Sequence, residues 1–127
     1  MTVRLRVPAI ADPDFLADVA YGEITELRLS GTADTAATQP LGELIASLHR
    51  ELRERQVDEI VVDMHSLEFM AASCFTELVA WLTRLQELDP DDRYRIRFRS
   101  NPTILWQKRS LRALSCFDTD IVTIETS

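Results

Sequence analysis

The chain has 127 residues, of which 46% are hydrophobic and 28% charged, and it carries a formal net charge of −7. This length suits one domain with a substantial core, so we predict a single domain over residues 1–127. The acidic balance disfavours generic nucleic-acid binding, and no segment is apolar enough to span a membrane. Because no secretory signal is visible either, we expect a cytoplasmic protein.

The first half of the chain predicts strands followed by one helix. Alternating apolar residues over 3–7 indicate a half-exposed strand, whereas residues 11–22 fit either a short helix or a strand. A further strand is predicted around residues 24–29, stopping at residues 30–31. Segment 38–55 is the clearest helix, because its apolar residues recur at helical spacing. These residues are Leu41, Leu44, Ile45, Leu48 and Leu52.

The middle of the chain predicts a central strand and a second helix. Ile60, Val61 and Val62 form an unbroken apolar run, which suits a strand covered on both faces. We expect Asp63 to end this strand and residues 64–70 to form a connection. The apolar stripe of the following helix consists of Phe75, Leu78, Val79, Leu82 and Leu85, with Trp81 beside it.

The last third of the chain predicts a strand, a helix and a final strand, over residues 93–99, about 102–115 and 121–124. Residues 93–112 include seven basic residues and no acidic one. The first four of them alternate with apolar residues, so one face of the strand carries Arg93, Arg95, Arg97 and Arg99. Such a row is normally the solvated face of a half-covered sheet, and binding of an anionic partner surface or phosphate groups is the alternative.

Residue types that carry metal or redox chemistry are scarce. Cys74 and Cys116 do not form a CxxC pair, so we expect two reduced, buried thiols. His49 and His65 are the only histidines, too few to predict a zinc site. No glycine-rich loop that could hold phosphate groups is present, and we expect no cofactor.

Two segments resemble a known family. EITELRLSGTAD is similar to the opening strand and turn of STAS domains, the family of bacterial anti-sigma-factor antagonists, and DEIVVDMHSLEFMAASCFTEL resembles their central signature. On that alignment Asp63 matches the Asp at a strand end, and Ser73 falls on the serine that family members phosphorylate. The resemblance covers about residues 22–125. We therefore predict an α/β fold, a single STAS-like domain with a mixed sheet of about four or five strands and helices packed mainly on one face.

The resemblance implies regulatory protein–protein interaction in bacterial signalling rather than catalysis, with an anti-sigma factor, a related kinase or another signalling protein as the partner. Ser73 would be the phosphorylation site, since a phosphate at a helix N-terminus meets free N–H groups and the positive end of the helix dipole. The expected partner-binding residues lie before and on the second helix: Met70, Ala71, Ala72, Ser73, Cys74, Thr76, Glu77 and Ala80.

Three departures from the family motif favour another role for the same surface. Ala71 stands in place of the Asp that precedes the serine pair, Ala72 in place of the first serine, and Cys74 in place of the following Gly. These changes favour an unphosphorylated scaffold or homodimer subunit over the standard switch. In a purely structural role, the Ser73 hydroxyl would cap the second helix, which stabilises by about 1 kcal/mol.

A small-ligand-binding domain or an enzyme is a third interpretation. It predicts an enclosed polar pocket near Asp63 and Ser73. A hydrolase triad of Asp63, His65 and Ser73 is disfavoured, because Ala72 and Cys74 flank the serine where a nucleophile elbow has Gly-x-Ser-x-Gly.

Overall fold

The computed structural model describes residues 9–126, and in that part of the chain a mixed six-stranded sheet is combined with three α-helices. The predicted strand at residues 3–7 lies outside the described residues. The elements are β1 (Ile10–Ala11), β2 (Phe15–Ala20), β3 (Thr25–Ala33), α1 (Thr38–Glu54), β4 (Glu59–Met70), α2 (Ala72–Gln86), β5 (Arg95–Ser100), α3 (Leu105–Phe117) and β6 (Val122–Thr126), with 3-10 turns at Thr35–Ala37 and Pro90–Asp92.

The strands lie side by side in chain order. The pairs β1–β2 and β2–β3 are antiparallel, whereas β3, β4, β5 and β6 run parallel. The predicted α/β class and mixed sheet are confirmed. The strand count exceeds the predicted four or five, because the ambiguous region 11–22 contains β2 and a two-residue edge strand precedes it.

The helices pack on one face of this sheet, and residues along the strands alternate between the core and the other face. In β2, for example, Phe15, Ala17 and Val19 are buried while the residues between them are exposed. The apolar stripe of α1 and Trp81 of α2 are part of the same core. Cys74 is buried as predicted, but the expected burial of Cys116 is wrong, because this residue lies on the exposed side of α3.

The strand predicted to stop at residues 30–31 continues through Gly31 to Ala33. Gly31 has a φ of 89°, and a Cβ at this position would overlap the carbonyl oxygen of Asp14. Glycine therefore allows β3 to bend against the chain entering β2 without being interrupted.

Strand β4 is much longer than its apolar run, so the predicted connection at 64–70 is wrong. Its pairing with β5 ends at Asp63, but its pairing with β3 continues through two register shifts as far as Met70. Side chains that follow β5 replace the missing strand partner. Gln107 donates to the carbonyl oxygens of Met64 at 2.6 Å and Leu67 at 2.9 Å.

Two further side chains from the same region complete this replacement. The Asn101 amide donates to the carbonyl oxygen of His65 at 3.0 Å, and the Trp106 indole donates to that of Glu68 at 2.7 Å. The second half of β4 is thereby held in an extended conformation up to the point where α2 begins.

Candidate functional site

The loops that follow β3 and β4 lie next to each other. Because these strands are parallel neighbours, α1 and α2 both begin at the same edge of the sheet. The N–H of Ala71 donates to the carbonyl oxygen of Ala33 at 2.7 Å, which joins the two strand ends. The first turns of α1 and α2 are thus brought together.

Ser73 does not cap α2. The N-cap residue is Ala71, in an extended conformation with no side-chain hydrogen bond, so Ser73 is the second residue within the helix. The predicted capping role is therefore wrong, because the N-cap position lies two residues before Ser73.

The hydroxyl of Ser73 instead pairs with that of Thr38, the first residue of α1, at 2.6 Å between the two oxygens. The neighbouring Cys74 thiol donates to the carbonyl oxygen of Asp34 at 3.2 Å and lies 3.6 Å from the Thr38 oxygen. Ser73 is half-buried, so its hydroxyl is neither sealed in the core nor restricted to backbone partners.

The predicted partner-binding residues divide into outer and inner ones. Met70 and Cys74 are buried and are not available to a partner. The remaining six form a continuous outer surface, which we call the α2 patch; Ala72 and Thr76 are exposed, and the others are half-buried: Ala71, Ser73, Glu77 and Ala80.

Helix α1 contributes to this surface in a way that the sequence interpretation missed. A Cβ on Gly42 would overlap the carboxylate of Glu77, so the side chain of Glu77 lies over bare backbone of α1. Thr38 and Gly42 thereby determine where Ser73 and Glu77 stand. The contact between α1 and α2 could have been predicted from topology, because helices that follow adjacent parallel strands have neighbouring N-termini.

The residues considered for a hydrolase triad do not assemble. The side chain of Asp63 lies on the helix-free face of the sheet, 3.4 Å from Arg99, and accepts the His65 backbone N–H at 2.9 Å. Ser73 faces Thr38 on the helix side. Cavities of about 480, 520 and 590 Å³ in the described part of the chain are lined by neither Asp63 nor Ser73. Within residues 9–126, no group of three or more His, Cys, Asp or Glu side chains is arranged to hold a metal ion.

Strand β5, which carries the arginines, contributes one residue to a row of alternating charges that crosses the helix-free face of the sheet. Residues in register across five strands are Asp18, Arg28, Asp63, Arg99 and Glu125. Arg99 donates a hydrogen bond to Glu125 at 3.1 Å and also lies 3.4 Å from Asp63 and 3.7 Å from Glu26. That hydrogen bond, followed by the charges of the three carboxylates, raises the pKa of Arg99. The charge of Arg99 is already compensated, which disfavours anion binding by this side chain.

The other three arginines of segment 93–99 have separate roles, and the exposed Arg95 donates to the Thr123 hydroxyl at 3.2 Å. Arg97 lies 2.9 Å from Glu59. Arg93 lies outside β5, and its guanidinium donates to the carbonyl oxygens of Gln86 and Leu88 at the end of α2. The prediction that Arg93 shares one strand face with the other arginines is therefore wrong, because its side chain binds carbonyl groups at the end of α2 and just beyond it.

The fold is similar to that in the crystal structure of an anti-sigma factor antagonist from Mycobacterium paratuberculosis. The two structures have a TM-score of 0.65 and 13% sequence identity, over 91% of this chain and 90% of that chain. This likeness confirms the predicted STAS-like fold. Neither a protein-family model nor a curated protein matches the sequence. Among the helices formed by residues 9–126, none has the length and apolar character needed to cross a bilayer.

Proposed function

We propose that this chain is a non-catalytic regulatory module of cytoplasmic bacterial signalling, which binds a partner protein through the α2 patch. The expected partner is an anti-sigma factor, a related kinase or another signalling protein. The proposal is carried by the position of Ser73, whose hydroxyl meets that of Thr38 at the junction of two helix starts. It is supported by the fold shared with an anti-sigma factor antagonist.

A negative charge at Ser73 has a clear physical effect on such a surface. A phosphate adds about −1.5 to −2 charge and three acceptor oxygens, which the free N–H groups of the first turn of α2 can bind. It also removes the hydroxyl hydrogen that the Thr38–Ser73 pair can use. A partner that covers the α2 patch in the uncharged state must then bury this charge, and it binds more weakly.

The unphosphorylated scaffold is the second candidate, and two observations favour it. Ala71 and Ala72 offer a kinase no acidic or hydroxyl side chain beside Ser73. The Ser73 hydroxyl is also already hydrogen-bonded and half-buried. In this alternative the same surface joins subunits of an assembly, including a homodimer, and no charge switch operates.

The binding test compares immobilised wild-type protein with three variants in an extract of its own host, followed by affinity measurements with any purified partner. We expect Ser73→Ala to bind like wild type and Ser73→Glu to bind at least about tenfold more weakly. Thr83→Glu is the matched control, because Thr83 is an exposed residue of α2 outside the α2 patch. Equal affinity of wild type and Ser73→Glu would contradict the switch.

Intact-mass measurement of protein purified from that host, with and without phosphatase, separates the two candidates. A mass increase of one phosphate group that phosphatase removes, and that maps to Ser73, supports the switch. Partner binding without any such increase supports the scaffold.

A further inference from the structure

We propose that the groove between α3 and β6 is a second protein-binding site, which accepts an extended acidic segment of a partner as an added strand. It goes beyond the proposed function, because no residue of the α2 patch lines this groove. Its cavity has a volume of about 590 Å³. The lining residues used below are Lys108 and Arg112 of α3 and Ile124 and Thr126 of β6.

The first observation is an open sheet edge. Within the described residues, β6 pairs only with β5. The carbonyl oxygen of Ile121 accepts the Ile96 N–H, and that of Glu125 accepts the Ser100 hydroxyl, so both carbonyls point toward β5. Successive peptide groups of a strand point to alternate sides, and the N–H groups of Ile124 and Thr126 therefore point to the free edge.

The N–H group at the start of β6 also points toward the free edge. The Val122 N–H points away from β5 and is satisfied by the carbonyl oxygen of Asp118 at 3.0 Å. For Ile124 and Thr126, no described residue plays that role. An incoming strand can supply the missing acceptors, which is the hydrogen-bonding basis of strand addition.

The second observation is the charge of the groove. Lys108 and Arg112 are exposed, lie one helical turn apart and form no ion pair with any residue from 9 to 126. On the opposite face of the sheet, Glu125 lies beside the same edge. An added strand thus meets cations on its helix-facing side and a carboxylate on its other side. Carboxylates on alternate, helix-facing positions of the added strand fit this arrangement.

Charge also favours a different protein over a second copy. Antiparallel pairing of two β6 strands about a two-fold axis through Ile124 places the two α3 helices on the same face, next to each other. Lys108 and Arg112 of both copies would then repel across the new interface. An acidic segment turns the same cations into attractive contacts.

The probe is a short blocked, fluorescent peptide of alternating valine and glutamate, titrated with the full chain and compared with the same peptide carrying lysine. We expect at least about tenfold tighter binding of the glutamate peptide, weakened by added salt. The double variant K108E/R112E should lose about tenfold or more in affinity. Arg109→Glu makes the same kind of charge change on α3 outside the lining of the groove, and it should alter affinity by less than about twofold.

The backbone prediction is tested by Ile124→Pro, which removes the free-edge N–H and is compatible with an edge strand. It should weaken peptide binding by about tenfold. In the wild-type protein, the NMR signals of the Ile124 and Thr126 amides should shift on binding, and these amides should become protected from hydrogen exchange. This measurement tests the same contact if the proline variant does not fold.

The proposal is overturned if both peptides bind equally, if Arg109→Glu loses as much affinity as K108E/R112E, or if no saturable binding is seen at about 1 mM peptide. A concentration-dependent dimer, seen in sedimentation, that Ile124→Pro abolishes also overturns it.

Discussion

The phenol oxygen of Tyr94, the residue before β5, lies 2.6 Å from Nδ1 of the half-buried His49 of α1. The same oxygen accepts the indole N–H of Trp81 at 2.6 Å. Because the indole can only donate, the phenol proton is free to point at His49, whose Nδ1 must then be an acceptor. This arrangement requires neutral histidine. Protonation of His49 would therefore disturb the contacts that join α1, α2 and the start of β5.

The free energy of unfolding should fall as the pH is lowered from about 7.5 to 5.5. Burial, followed by the nearby charges of Arg53 and Arg84, lowers the pKa of His49 from its ordinary value of 6.5. The unfolded chain therefore binds a proton at higher pH than the folded chain. The contribution of His49 to the free energy of unfolding is complete above the pKa that His49 has in the unfolded chain. It is lost as the pH falls toward the lower pKa of His49 in the folded chain. Urea denaturation at several pH values across this range measures the slope of the free energy of unfolding against pH.

His49→Asn keeps an acceptor but does not titrate, so it should flatten the slope, with the same substitution at the exposed His65 as control. An unchanged slope in His49→Asn contradicts the assignment.

Gln107→Glu should destabilise the fold by about 3 kcal/mol or more. Gln107 is fully buried, and its amide nitrogen donates to the carbonyl oxygens of Met64 and Leu67. The nearly isosteric carboxylate replaces both donors by oxygen, so it faces two carbonyl oxygens without a proton to share. Urea denaturation monitored by circular dichroism gives the change. The exposed Gln39 provides the control, for which the same substitution should stay within about 0.5 kcal/mol of wild type. A similar small change at Gln107 would mean that its hydrogen bonds do not hold the second half of β4.

The second half of β4 also shows where sequence interpretation ends. Helix α1 was predictable because its apolar residues repeat at helical spacing, and β5 because its side chains alternate. Residues 64–70 show no such repeat, since two register shifts disturb the alternation and Gln107 supplies bonds that a neighbouring strand would normally supply. Only the folded chain brings that side chain to β4.

The site was predictable to a similar extent. The resemblance located Ser73 near the start of α2, which is a local property. Its actual partner, Thr38, lies 35 residues earlier and meets it only because β3 and β4 are parallel neighbours. Likewise, Glu77 lies where it does because Gly42 has no side chain, a relationship between two helices that neither helix reveals by itself.

Gly31→Ala should destabilise the fold by about 2 kcal/mol or more, from the positive φ and the overlap of the new Cβ with backbone. The φ of 89° is unfavourable for an L-residue, and the carbonyl oxygen of Asp14 cannot move away without disturbing its hydrogen bond to the Thr32 N–H, at 2.7 Å. Gly22→Ala is the control, because a Cβ there comes no closer than 3.9 Å to any residue other than its two chain neighbours. Thermal and urea denaturation of both variants provide the comparison. Equal stability of the two would show that β3 tolerates a side chain at its bend.

The hydrogen bond between Thr38 and Ser73 should appear as a coupling of about 1 kcal/mol in a double-mutant cycle of Thr38→Val and Ser73→Ala. Each single change leaves one half-buried hydroxyl without its partner, whereas the double variant removes both hydroxyls. The double variant should therefore be more stable than the sum of the single effects predicts. Thr38→Ser retains the hydroxyl and should stay close to wild type. Strictly additive effects would show that the two hydroxyls do not support each other, and the junction between the first turns of α1 and α2 would then depend on the Ala71–Ala33 backbone bond and the Cys74–Asp34 contact instead.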